Sequence, residues 1–163
     1  MAGVAERRRD KPCSSRSSGK PEPRPPYILR RADLPVAVLA LDEICFPHDD
    51  RITTADSLWW IVWQDKTPVA YAGLRICQAE QNLGLAFLCR VGVIPGHRGR
   101  GLQKRLIRAR ERAARQLAVS ELVTYCVPWN SPSLNSLIAC GYKFYRPATR
   151  YGGTGCVYLR KAL

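Results

Sequence analysis

Between Val91 and Leu102 the chain reads Val-Gly-Val-Ile-Pro-Gly-His-Arg-Gly-Arg-Gly-Leu, an apolar strand entering a turn rich in glycine and arginine, with a basic helix directly after it. Such a turn leaves backbone N–H groups converging at a helix N-terminus, where partial positive charge favours an anion. Gly96, Gly99 and Gly101 fall within six positions, which lets a ligand approach the main chain closely or lets the backbone take positive φ. The chemistry this suits is binding of a phosphate carried on a larger molecule. Two familiar phosphate loops are excluded by spacing. Four residues separate Gly96 from Gly101, but Leu102-Gln103 follows where a Walker loop has Lys-Ser/Thr. Gly99-Arg100-Gly101 begins like a dinucleotide fingerprint, yet Lys104 stands in place of its third glycine. A strand–turn–helix whose glycines serve geometry alone is the alternative at this point.

Other reactive side chains are scattered. The seven cysteines, at 13, 45, 77, 89, 126, 140 and 156, form an odd set without a Cys-x-x-Cys pair. His48 and His97 are the sole histidines, so no zinc-ligand spacing arises and no metal is expected. Most of the thiols sit in apolar runs and read as small core residues of a reducing compartment. No apolar stretch approaches the ~20 residues that span a bilayer. Arg7-Arg8-Arg9 is followed by no apolar segment, so no secretory signal is expected and a cytoplasmic location follows by default. The net charge of +13 and pI near 9.9 imply an anionic ligand or partner. Much of that charge is local: positions 98, 100, 104, 105, 108, 110, 112 and 115 are basic, against the single acid Glu111. A nucleic-acid surface is one reading of this helix. A solvated face beside a phosphate site is the other, and the one favoured.

These residues need elements to hold them. At 163 residues with 46% hydrophobic content, the chain is long enough for one domain with a sizeable core. Residues 1–26 are rich in Ser, Pro and charge, cannot bury enough apolar surface to offset their ordering entropy, and read as a disordered basic tail. From there the pattern predicts a strand at Tyr27–Arg30 and a helix over Leu34–Cys45 capped by Asp33, with Val38, Leu39, Leu41 and Ile44 on its apolar face. A loop or short helix follows from Asp49. A hairpin joins Leu58–Trp63 to Pro68–Cys77 around Gln64-Asp65-Lys66-Thr67. A strand over 83–94 delivers the chain to the glycine turn. The helix beyond it, about Gly99–Ala118, carries a buried stripe of Leu102, Leu106, Ala109, Ala113 and Leu117. A strand at Leu122–Val127, a helix at Ser133–Cys140 and strands at Tyr142–Tyr145 and Cys156–Arg160 complete the domain over 27–163. Pattern alone makes this a mixed α/β protein.

Two stretches go further. Val93-x-Pro95-x-x-Arg98-Gly99-x-Gly101 resembles the acyl-CoA signature of the GNAT superfamily of N-acyltransferases, Gln/Arg-x-x-Gly-x-Gly/Ala. Arg98 and Gly101 occupy its first two fixed positions, and Gln103 takes the place of the last small residue. Asn130-x-x-Ser133 followed by Gly141-Tyr142 is similar to the family's Asn-x-x-Ala…Gly-Phe stretch. The resemblance covers roughly residues 28–160. It implies a central mixed, mostly antiparallel, splayed sheet flanked by helices, with element order β-α-α-β-β-β-α-β-α-β-β. It also implies acetyl-CoA as acyl donor. Val91, Gly92 and Val93 would pair with the pantetheine arm, the amides from Arg98 through Gly99, Arg100, Gly101 and Leu102 to Gln103 would hold the pyrophosphate, and Arg98 and Arg100 would add charge. Asn130 and Ser133 would contact the pantetheine from the other side. The Val91 amide would polarise the thioester carbonyl.

The implied reaction is acyl transfer to an amine, by an acyl-CoA-dependent N-acyltransferase. The glutamate that relatives often carry on the fourth strand is missing, and Cys89 is the sole titratable side chain on the face with Phe87 and Val91. Asp49, Asp50 and Glu80 are the acids that could orient water. The family's tyrosine, seven residues after the motif asparagine, is replaced by Leu137, which leaves Tyr142 or Tyr145 as acid. The implied acceptor groove involves Phe46, His48, Asp49, Asp50, Trp59 and the loop 146–154, with Gly152-Gly153-Thr154-Gly155 a flexible turn. An acidic groove would suit a cationic amine. Three functions follow: an N-acetyltransferase for a primary amine of a small molecule or protein, the same chemistry on nucleic acid, or an inactive CoA-binding module. The expected state is a monomer or homodimer with no membrane contact.

Overall fold

The computed structural model describes residues 26–32, 36–77 and 84–163. The tail expected over 1–26 lies, but for Pro26, outside the described residues, as do the expected cap Asp33 and the acid Glu80. Ten elements run in order: β1 (Tyr27–Arg31), α1 (Val36–Cys45), β2 (Ser57–Gln64), β3 (Thr67–Ile76), β4 (Leu85–Val93), α2 (Leu102–Gln116), β5 (Glu121–Cys126), α3 (Ser131–Ala139), β6 (Lys143–Tyr145) and β7 (Val157–Ala162). A short 3-10 turn at Pro95–His97 joins β4 to α2. The strands form one seven-stranded sheet in the order β1-β2-β3-β4-β5-β7-β6. Every pairing is antiparallel except β4 with β5. Among the described residues no helix is long and apolar enough to cross a membrane.

The sheet is covered on both faces because its central strands are apolar in both directions. Trp59 and Trp60 are successive residues of β2 and therefore face opposite sides. Trp60 joins the larger core with Leu102, Leu106 and Ile107 of α2 and Leu137 of α3. Trp59 joins the smaller core with Val38 and Leu41 of α1 and Tyr71 of β3. The alternation expected of this pair is the one observed.

Three details differ from the sequence reading. No helix occurs between α1 and β2 among the described residues. That segment is instead a loop clamped to β4, because Arg90 bonds the Asp49 carboxylate at 2.8 Å and the Asp50 carbonyl at 3.1 Å. Leu39 and Ile44 are exposed, and α1 buries only Val38, Leu41 and Asp42, a stripe one turn wide. Leu117 is exposed because α2 ends at Gln116 and Ala118 turns the chain with φ 55°.

Candidate active site

The glycine turn builds a cleft of about 580 Å³. Gly99 and Gly101 take φ of 74° and 72°, left-handed values that favour glycine. Their conformations peel the chain off β4 before α2 begins, and the first helical bond there runs from the Arg105 amide to the Gly101 carbonyl. The amides from Gly99 to Lys104 consequently donate to no backbone carbonyl among the described residues. They add to the positive end of a fifteen-residue helix, the arrangement that holds phosphate. Arg98 and Lys104 line the same cleft. A Cβ at Gly101 would meet nothing, so space there is open for a ligand rather than filled by protein.

Across the cleft stands α3. Asn130 caps it by accepting from the Ser133 amide at 3.3 Å, and the Ser133 hydroxyl accepts from Gln103 Nε2 at 2.9 Å. Gln103, the residue departing from the family's small one, therefore ties α2 to α3 at the cleft. On β4, Gly92 is required by packing: a Cβ there would collide with the Tyr71 ring and approach Cys45 Sγ at 2.8 Å.

The cleft opens into a gap between two strands. β4 and β5 pair at three positions, Leu85, Ala86 and Phe87 opposite Glu121, Leu122 and Val123. The Thr124 hydroxyl then donates to the Leu88 carbonyl at 3.1 Å, the last link before the strands part. The parting has a local cause. Between Ala72 opposite Val91 and Leu74 opposite Leu88, Gly73 of β3 faces two residues of β4, a bulge that bends the strand. The Ile94 amide bonds Val69 on β3, so by strand alternation the Val91 and Val93 peptide groups face the gap. Arg98 Nε already donates to the Val93 carbonyl on that side at 3.0 Å.

The gap holds a cavity of about 250 Å³. Phe46, Val91, Gln103, Asn130 and Ser133 border both it and the phosphate-sized cleft. On its other side Phe87, Cys89, Arg90 and Tyr125 also border a groove of about 890 Å³. Cleft, gap and groove thus form one trench through the molecule. The groove wall is aromatic, with Phe87 stacked on Tyr125 at 5.6 Å and Tyr151 edge-on to both. Its charges are Arg75, Arg90 and Glu121. Arg90 is balanced by Asp49 at 2.8 Å and Asp42 at 3.5 Å, and Glu121 by Arg160 at 3.5 Å. Arg75 has no ion pair among the described residues, so the groove is not acidic as expected.

Most predicted cofactor residues meet at the cleft: Val91, Gly92, Val93, Arg98, Gly99, Gly101, Leu102, Gln103, Asn130 and Ser133 all line it. The Arg100 side chain does not. Its guanidinium donates to the Tyr27 hydroxyl at 2.6 Å and the Gly96 carbonyl at 3.1 Å, anchoring the turn to β1. Of the predicted groove residues, Trp59 and part of the 146–154 loop line the groove, whereas Phe46 and Asp49 line the gap and His48 and Asp50 line neither. Gly152 is a contact position rather than a free hinge, since a Cβ there would meet the Tyr125 ring at 2.7 Å.

Two proposed catalytic side chains sit badly for that work. Tyr142 is 2% exposed, belongs to the core beneath α2, and lines none of the three cavities. Burial, then the Glu111 carboxylate, push its phenol well up. Its place as Gly-Tyr after α3 makes it a core residue. Cys89 does reach the gap, but burial pushes its thiol up, so it is protonated at neutral pH and holds no basic lone pair for an ammonium. Sequence reasoning missed Lys104, Arg90, Arg110, Tyr125 and Tyr151. The bulge is the reason for Arg90, which strict alternation assigns to the face opposite Cys89. Lys104 and Arg110 lie in the basic run, whose pattern does not say which members face the site, and Tyr125 and Tyr151 come from elements far apart in sequence, with no short-range signal. The basic run is also divided: Arg98 and Lys104 face the cleft, Arg100 and Arg105 bond Tyr27, and Arg110 is buried. Among the described residues no group of three His, Cys, Asp or Glu side chains gathers that could hold a metal ion.

The comparisons with known proteins agree with this geometry. An IAA acetyltransferase from Bacillus cereus superposes with TM-score 0.68 at 15% identity, covering 85% of this chain and 100% of that one. A Bacillus subtilis acetyltransferase in complex with CoA gives 0.68 at 12% identity, over 85% and 99%. The yncA protein of Salmonella typhimurium, solved with its cofactor acetyl-CoA, gives 0.65 at 14% identity, over 83% and 93%. At these identities the likeness is one of fold. No curated protein sequence matches the chain. The sequence model described as "Acetyltransferase (GNAT) family" matches residues 22–142, most of the chain, and with the splayed sheet and its glycine turn this makes the protein a member of that family of acyl-CoA N-acyltransferases.

Proposed function

We propose that this protein transfers an acetyl group from acetyl-CoA to a primary amine of a small molecule or of a protein. The observation that carries the reading is the continuity of the trench: a phosphate-binding end, a gap with unpaired strand edges, and an acceptor-sized groove share their bordering residues. The free amides of Gly99 to Lys104, with Arg98 and Lys104, would hold the diphosphate. Val91 and Val93 would pair with the amide-bearing pantetheine as an added strand, opposite Asn130 and Ser133. The Val91 N–H would then polarise the thioester carbonyl.

An alkyl ammonium with a pKa of about 10.4 must lose its proton before attack, at a cost of about 4–5 kcal/mol near pH 7. Asp49 is the carboxylate bordering the gap, and it would take this proton directly or through one water. The amine nitrogen then bonds the carbonyl carbon and gives up its second proton to solvent as the C–S bond breaks and its electron pair leaves on sulfur. On the acceptor side the aromatic wall and Arg75, which makes no ion pair among the described residues, favour an amine that also carries an apolar or aromatic part and a carboxylate.

The experiment is an acceptor screen read by thiol release, with acetyl-CoA binding measured beside it by calorimetry. Turnover of amines with saturable acetyl-CoA binding is the expected result. Binding without turnover on any amine, peptide or RNA offered would make the protein a CoA-binding module instead. Turnover confined to RNA, with affinity falling steeply as salt rises, would move the acceptor to nucleic acid.

A further inference from the structure

Arg110 of α2 is 1% exposed and is the largest side chain in the fully buried set. It makes no ion pair among the described residues, and its neighbour Glu111 pairs with Lys161 instead, at 2.9 Å. Its bonds run to main-chain carbonyls: Nε to Leu106 at 3.2 Å, and Nη1 to Gly73 at 3.1 Å and Cys89 at 3.2 Å. Nη2 bonds none of the described atoms. An ion buried without a counter-charge is costly, and carbonyl dipoles recover only part of the loss. Burial pulls the guanidinium down to about 10, so it stays cationic through neutral pH.

Its surroundings give this charge a use. Gly73 of β3 and Cys89 of β4 lie on the two sides of the bulge, so Arg110 supplies donors to carbonyls where the ladder is interrupted. The same side chain borders the gap cavity. The other ionisable groups there are Asp49, Arg90, Cys89, Cys126 and Tyr125. Asp49 and Arg90 neutralise one another across 2.8 Å, and burial pushes both thiols up, so neither becomes an anion at neutral pH. Arg110 is the unbalanced charge of the cavity. Leu137, in the position of the family's tyrosine, also borders it and offers no proton.

We propose that Arg110 stabilises the CoA sulfur as it departs, so that the leaving group is a thiolate held by a buried cation rather than a thiol made by a proton donor. The inference rests on the acetyltransferase reading above. As the tetrahedral intermediate collapses, the C–S electron pair stays on sulfur, and solvent protonates the thiolate after release. The opposing need of the buried cation is met at the same moment. Because Arg110 is almost fully buried, its charge acts with less screening than a surface charge would.

The test is the titration of the CoA thiol bound to the full-length protein, followed by thiolate ultraviolet absorbance. The desulfo-CoA complex serves as blank for the seven cysteines. The bound thiol is expected to titrate about one pH unit or more below free CoA, a tenfold change in its acidity. Arg110→Gln should erase that depression and lower kcat by about tenfold or more, with KM for acetyl-CoA moving less than about threefold. Arg110→Lys should keep most of the depression. An unshifted bound thiol in the parent protein, or the same value in parent and Arg110→Gln, overturns the proposal. If both variants fail to fold, the parent titration alone still decides it. Failure of CoA to bind at all would instead strike the acetyltransferase reading.

Discussion

At the glycine-turn end of the trench the unbonded main-chain amides of one continuous segment gather with the Arg98 and Lys104 side chains beside them, whereas the groove at the other end is lined by side chains drawn mainly from the five strands β2 to β6. Gly99 and Gly101 set φ, α2 supplies its N-terminus, and the anion site exists wherever that backbone forms. The groove depends on Trp59, Arg75, Phe87, Tyr125 and Tyr145 meeting in space. On the proposed reading, a cofactor common to many enzymes would be met largely by backbone, which most side-chain substitutions leave in place. The acceptor, which sets specificity, would be met by side chains that can change one at a time. If this division is real, substitutions at the two ends should separate cleanly in what they damage.

The largest effect is expected at the turn. Gly101→Glu forces a side chain into φ 72° and puts an anion where the free amides converge. The left-handed conformation alone costs about 1–2 kcal/mol, and charge repulsion adds to it. Acetyl-CoA affinity measured by calorimetry should fall by about a hundredfold or more. Gly101→Ala should lose about tenfold, from strain alone. Affinity unchanged in Gly101→Glu would mean that the diphosphate lies elsewhere.

Asp49→Asn tests the joint between the two ends. General-base assistance contributes typically about 10²–10⁴-fold, so kcat should fall by about a hundredfold while CoA binding holds. Because Asp49 also holds Arg90 at 2.8 Å, the melting temperature of the variant separates loss of the clamp from loss of the base. A kcat within a few-fold of the parent would remove Asp49 from the chemistry.

Arg75→Glu addresses the far end alone. Reversing the Arg75 charge should raise KM by about tenfold for an amine bearing a carboxylate, and leave KM for acetyl-CoA unchanged. An amine of the same shape without the carboxylate should be insensitive to the substitution or improve. Equal effects on both amines would show that Arg75 does not read the acceptor.

The same division explains what the sequence made legible. The strand–turn–helix at Val91–Gln103 is a contiguous pattern, so glycine spacing points to it directly, whereas Asn130 was legible as a motif residue and its capping of the third helix was not. Strand alternation correctly separated Trp59 from Trp60. It failed at Cys89 and Arg90, where one extra residue brings both to the gap, because a bulge leaves no mark in composition. Arg110 sits in an amphipathic basic helix among arginines that are exposed, and nothing local marks it as the buried one. Tyr142 follows a motif glycine in the expected place, yet its ring turns into the core. Arg100 lies in the loop with its side chain directed at β1, so the motif located its backbone and not its charge.

The smallest effect belongs to Cys89, and it separates proximity from participation. The thiol borders both gap and groove, 3.8 Å from the Ser57 hydroxyl, and donates to the Phe87 carbonyl at 3.6 Å. Burial pushes it up, opposed by the Ser57 hydrogen bond and by the Arg75 and Arg110 charges. The proton is held more tightly than in an ordinary thiol, so any role as base would emerge only in alkaline solution. Cys89→Ala should leave kcat within about threefold between about pH 6 and 9, and its rate profile should overlay the parent's. A buried thiol contributes volume, so the substitution should show as a lower melting temperature rather than a slower reaction. A profile in which the parent climbs with pH and the alanine variant stays flat would return Cys89 to the catalytic set, and would do so without disturbing the cofactor end.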